Sequence, residues 1–120
     1  MDGIFLAQNL EGKWRGSVQG GNSGPLTTIF RRVGAFYKAD FEFRPKECGV
    51  IKGKVTGELN DFGFSGTFFD LRSRRISRLA YPPTGVINAL VYEGTFLGFW
   101  KITTGEASIF GKINMTKTVS

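Results

Sequence analysis

The pattern of hydrophobic and polar residues in Val50–Leu71 predicts two strands joined by a tight turn. The residues Asn60-Asp61 tolerate positive φ and are expected to form that turn, which places Leu59 opposite Phe62. One face of this hairpin is apolar, with a glycine beside nearly every large ring, and the other is mostly polar. Glycine in these positions is typical of a curved sheet, in which large side chains converge.

The same alternation predicts strands on both sides of this hairpin. They are Gly12–Gln19, Phe36–Arg44 and Glu106–Thr118. Leu26–Val33 is also predicted to be a strand, although it is apolar on both faces until Arg31-Arg32. Val86–Ile102 is either one bent strand or two strands broken near Glu93-Gly94. A turn at Thr104-Gly105 is expected to pair Trp100 with Ile109. The short turns predict a single antiparallel meander of seven to eight strands, closed or strongly curved into a barrel.

Composition supports an all-β chain. The 120 residues include 12 Phe and 17 Gly, which favour a sheet with many turns over a helical bundle. This length predicts one barrel-like domain over residues 1–120. No secretory signal and no apolar run of membrane-spanning length is visible, so we expect a cytoplasmic location and no membrane partner.

Candidate catalytic chemistry is sparse, because the chain has no histidine and only one cysteine, Cys48. Histidine is the usual general base near neutral pH and a common zinc ligand. The sequence therefore predicts no catalytic residues, no metal site, no cofactor and no enzymatic activity. Asp70, which the hairpin register places on the inner face opposite Ile51, is expected at an open rim of the sheet.

Positive charge is concentrated between Leu71 and Tyr81, in a chain of formal charge +6. The arginines there are Arg72, Arg74, Arg75 and Arg78. Guanidinium groups at this density can bind phosphate or carboxylate. The alternative interpretation is a solvated loop or an edge strand whose charges block pairing. Because basic residues are spread along most of the chain, nucleic acid is a possible partner but is not favoured.

The opening of the first strand suggests a family. Its Gly12-Lys13-Trp14, within residues 9–14, resembles the Gly-x-Trp opening of the calycins, the lipocalin and fatty-acid-binding barrels. In those families the tryptophan closes one end of the barrel, often beneath a basic side chain from a late strand. The resemblance implies such a barrel with a lipid-type ligand site, and Lys112 or Lys101 beside Trp14.

Two binding functions remain open. More large rings face inward than a narrow barrel can readily pack, so the first is a small apolar or aromatic ligand held at the barrel mouth, although a filled core would also explain them. The residues expected to line that site are Trp14, Phe41, Phe64, Tyr92 and Trp100. The second is an anion- or nucleic-acid-binding module built on the arginines at 72–78.

Large apolar residues are also predicted on the outer face. They are Phe69, Leu97, Phe99 and Phe110, with Phe99 directly across from Phe110. A soluble monomer seldom exposes such a patch. It can be covered by the N-terminal segment, by residues 76–81 or by a second copy of the chain. We favour the second copy, in a two-fold symmetric homodimer.

Overall fold

The computed structural model describes residues 9–20, 23–46, 49–61, 63–74, 83–103 and 109–118. These residues form eight strands of a closed antiparallel barrel, in which each strand pairs with the next and the first pairs with the last. The strands are β1 (Gly12–Gly20), β2 (Gly24–Val33), β3 (Phe36–Phe43), β4 (Ile51–Asn60), β5 (Gly63–Arg72), β6 (Gly85–Tyr92), β7 (Thr95–Ile102) and β8 (Phe110–Lys117). The predicted all-β meander is confirmed as a closed barrel. No helix able to cross a membrane occurs in the described residues.

The two ends of the barrel differ. Asn9 and Leu10 lie at the end where β1 begins, which we call the closed end, and Leu10 is completely buried. The antiparallel order places the β2–β3, β4–β5 and β6–β7 turns at this end. The other four links lie at the opposite end, which we call the open end.

Aromatic rings fill the closed half of the barrel. Trp14, Phe30, Phe64 and Phe96 are nearly or fully buried, and neighbouring ring centroids lie 5.6–6.4 Å apart. The Trp14 Nε1–H donates to the carbonyl oxygen of Leu10 at 2.8 Å, so the buried indole has its polar atom satisfied. These four rings fill the interior of the closed half, and we call them the aromatic floor.

The basic residue beside Trp14 is Lys117. The two residues are cross-strand partners in the β1–β8 ladder, and the Lys117 Nζ donates to the Asn9 carbonyl oxygen at 3.3 Å. The expectation of Lys112 or Lys101 in this position is wrong. Both are exposed on the outside of the barrel, where they pair across strands with Phe99 and Phe110 respectively.

Closure between β1 and β8 depends on a small residue. Gly16 pairs with Met115, and a Cβ added at Gly16 would collide with the carbonyl oxygen of Asn114. Only glycine lets the two backbones approach this closely. Gly16, on the inward face of β1, therefore allows β1 and β8 to pair and close the barrel.

The register of the β4–β5 hairpin differs from the prediction, although its faces do not. Asn60 pairs with Gly63 and Leu59 with Phe64, so the turn is centred one residue later. The Asn60 side chain accepts a hydrogen bond from the Gly63 N–H at 3.1 Å, as asparagine does in the first position of a β-turn. Cross-strand partners move by two residues, which keeps Val55 and Phe64 inside.

The β7–β8 register differs in the same way. Trp100 pairs with Gly111 rather than Ile109, and Phe99 pairs with Lys112 rather than Phe110. The direct Phe99–Phe110 contact predicted across these strands is therefore wrong. The predicted turn at 104–105 lies outside the described residues.

A β-bulge changes the open end of β5. The β4–β5 register shifts between Lys52 and Lys54, and Asp70 has φ of 54°. Leu71, not Asp70, is consequently buried, so the predicted placement of Asp70 on the inner face is wrong. The Asp70 carboxylate is half-exposed and accepts two hydrogen bonds from Arg72, at 3.3 and 3.2 Å.

Candidate ligand cavity

An apolar cavity of about 410 Å³ lies above the aromatic floor. Side chains from all eight strands line it. Among these described lining residues no side chain is charged, and the polar ones are Thr28 and the indole of Trp100. The cavity therefore offers apolar surface with very few hydrogen-bonding groups.

The cavity opens at the end opposite Trp14. Lining residues near the floor, such as Phe64 and Phe96, are fully buried, whereas the partly buried lining residues lie near the open ends of the strands. The partly buried lining residues are Phe41, Phe43, Ile51, Pro83, Trp100 and Ile102. This gradient of exposure marks the mouth of the barrel.

Three of the five residues predicted to line a ligand site contribute to this cavity. Phe41 and Trp100 lie toward the mouth, and Phe64 lies at the floor. Trp14 is not among the lining residues, because it lies in the floor with 1% of its surface exposed.

The inward placement of Tyr92 is wrong, since its side chain is 67% exposed on the outside of the barrel. The inward residues of β6 are Gly85, Ile87, Ala89 and Val91, at odd positions. Glu93 and Gly94 both have positive φ and form a two-residue turn. Such a turn pairs Tyr92 with Thr95 and Val91 with Phe96, so odd positions of β6 share a face with even positions of β7.

Sequence reasoning missed Ile87 for this reason, although the signal was present. Once Glu93-Gly94 is taken as a two-residue turn, the inward Phe96 requires its partner Val91, and hence Ile87, to face inward as well. It also missed Leu71 and Pro83, which line the mouth on either side of the arginine-rich segment. Because the bulge at Asp70 interrupts the alternation of inward and outward residues, the inward position of Leu71 does not follow from the sequence pattern.

The arginine cluster begins at the mouth of the cavity. Arg72 ends β5 directly after the lining residue Leu71, and both Arg72 and Arg74 are exposed. Arg75 and Arg78 lie outside the described residues. Within the described segments, no three cysteine or carboxylate side chains form a group that could hold a metal ion.

The eight-stranded barrel with a tryptophan at its closed end is consistent with a calycin-like barrel. No protein family, curated protein or solved structure matches this chain. The chemistry of the cavity and its rim is therefore what indicates the ligand.

Proposed function

We propose that this protein is a calycin-like binding protein, without catalysis of its own, that holds a small apolar or aromatic ligand in the barrel cavity. The observation that carries the proposal is the apolar cavity of about 410 Å³ with one open end. Small-molecule sites are mostly apolar and commonly enclose roughly 300–1,000 Å³. Each Å² of apolar ligand surface removed from water contributes about 25 cal/mol to binding.

The division of the barrel into two halves supports this function. The closed half is packed with aromatic rings that contact one another. The open half leaves apolar side chains partly uncovered around a solvent-accessible mouth. Uncovered apolar surface in a concave site is what an apolar ligand binds.

Binding of an uncharged solvatochromic dye tests the proposal. We expect saturable binding at about one site per chain, with a blue shift and increased emission. Trp100→Ala should weaken binding about tenfold, because it removes a large apolar wall of the cavity. Phe99→Ala, at the neighbouring position on the opposite face of β7, should leave the affinity unchanged.

A second variant separates binding from folding. Val18 lines the cavity, and Val18→Phe should reduce its volume and hence the dye affinity. Unfolding curves of every variant show whether the barrel is intact. Absence of saturable dye binding to the folded wild-type protein would contradict the proposed function, as would equal affinities in wild type, Trp100→Ala and Val18→Phe.

A further inference from the structure

The open end of the barrel carries an excess of positive charge. Most described charged residues within two positions of the open ends of the strands, or in the links there, are cations. The cations are Arg44, Lys46, Lys52, Arg72, Arg74, Lys101 and Lys112, and the carboxylates are Glu42 and Asp70. At the closed end the corresponding residues are nearly balanced. They are Lys13, Arg31, Arg32, Lys38 and Lys117 against Glu11, Glu58, Asp61 and Glu93.

Among the described residues of the open end, the two carboxylates are outnumbered by the cations. Glu42 is shared between Arg44, at 3.1 Å, and Lys52, at 4.0 Å, and Asp70 is paired with Arg72 at 3.2 Å. The three cationic side chains are 62–74% exposed. Ion pairs this exposed are weak, so these cations can turn toward another anion at little cost.

The interior of the barrel cannot accept a charged group. Its described lining offers two hydrogen-bonding side chains, Thr28 and Trp100, and no cation. Burying an unpaired carboxylate in such surroundings is strongly unfavourable, because the charge loses its hydration and gains no partner. An anionic ligand in this cavity must therefore keep its charge at the mouth.

One polar atom in the wall also lacks a partner. The Trp100 Nε1 is buried and has no hydrogen-bond acceptor among the described residues. It lies against Gly111, where a Cβ would approach this nitrogen to 2.6 Å. A buried N–H without a hydrogen-bond acceptor destabilises the folded state. An oxygen atom near the head of a ligand would accept a hydrogen bond from the Trp100 indole N–H.

We infer that the ligand is an amphipathic anion, bound with its apolar chain inside the cavity and its anionic group among the cations of the open rim. This inference rests on the proposed function and adds the ligand's charge and orientation. If each methylene occupies about 30 Å³, the volume share of a liquid water molecule, the cavity holds a chain of about a dozen carbons.

Three probes with the same ten-carbon chain test the inference. Decanoate, decanol and decyltrimethylammonium are titrated calorimetrically into the full-length protein at pH 7. We expect decanoate to bind about fivefold more tightly than decanol, and the cation more weakly than both. The preference should shrink in 0.5 M salt, because exposed charges are screened. Decyl sulfate should behave as decanoate does if charge alone is recognised.

Paired variants locate the anionic group. In Arg72→Gln/Arg74→Gln the preference for decanoate over decanol should fall to about twofold or less, while decanol affinity is unchanged. Lys13→Gln/Lys38→Gln removes the same charge from the outer surface near the closed end and should keep the fivefold preference.

Each remaining outcome decides a separate claim. Equal affinities for the three probes would overturn the inference and leave the proposed function standing. No binding of any probe would overturn both. An equal loss of preference in the two double variants would overturn the placement of the anionic group. Tight binding of single-stranded DNA without binding of decanoate would replace the inference with a nucleic-acid interface.

Discussion

Replacing Trp14 by alanine is expected to lower the free energy of unfolding by about 3–5 kcal/mol. The side chain is 1% exposed and packs edge-on against Phe30 and Phe96 in the floor of the barrel. Its indole N–H also holds the Leu10 carbonyl across the closed end. A loss of this size is a large fraction of the roughly 5–15 kcal/mol by which a folded domain is stabilised. Urea unfolding followed by circular dichroism measures the loss.

A surface residue provides the control. Ile29 is 48% exposed on β2, and Ile29→Ala should change stability by no more than about 0.5 kcal/mol. A Trp14→Ala variant that unfolds within 1 kcal/mol of the wild type would show that the aromatic floor is not the main core.

The second large effect concerns self-association. The outer wall of β6 and β7, continued by Phe110 of β8, exposes a stripe of apolar residues, with Lys112 beside Phe99, Lys101 beside Phe110 and no carboxylate. These residues are Leu90, Tyr92, Leu97, Phe99 and Phe110, each 48–68% exposed. Phe69, at 37%, lies on a different strand and is not part of this stripe.

The size of the stripe favours a second copy of the chain as its cover. With roughly 150–250 Å² per ring, its three aromatic side chains alone expose about 300–500 Å². That matches the largest apolar patch of a typical monomer before the leucines are added, and it approaches the roughly 800 Å² per partner of a standard interface. We expect a two-fold dimer at micromolar concentration, seen as a species of about twice 13.3 kDa in sedimentation.

Phe99→Lys should dissociate that dimer, because it replaces a central ring of the stripe with a second positive charge beside Lys112, while its side chain points away from the core. Ile29→Lys introduces the same charge at an exposed apolar position on β2 and should leave the dimer intact. A wild-type protein that sediments only as a 13.3 kDa monomer would contradict the proposed self-association.

The faces of the strands were more predictable than their registers. In β4–β5 and β7–β8 the observed partners differ from the predicted ones by two positions, which preserves the inward set because the side-chain period is two. The error came from treating Asn60 as a central turn residue. Its side chain instead accepts a hydrogen bond from the Gly63 N–H, as the first residue of the turn. Residue preferences alone do not distinguish these two positions of asparagine in a turn.

Other features needed three-dimensional information. The bulge at Asp70 requires a positive φ in a residue other than glycine, which no alternation of polar and apolar residues signals. The cavity volume depends on how the β1–β8 seam closes and on where the rings pack. The abundance of phenylalanine is compatible with either a filled or a hollow interior. In the structure the closed half is filled by rings and the open half contains the cavity.

A ligand site inside the barrel is tested most directly by the fluorescence of Trp100. Trp100 lines the cavity and Trp14 lies in the floor, and the chain has no other tryptophan. A neutral brominated ten-carbon alcohol quenches an indole that it contacts. Trp14→Phe leaves only Trp100 emission, and Trp100→Phe leaves only Trp14 emission. We predict strong, saturable quenching in the first variant and little in the second. Equal quenching in both, or quenching that never saturates, would contradict a ligand site in the barrel.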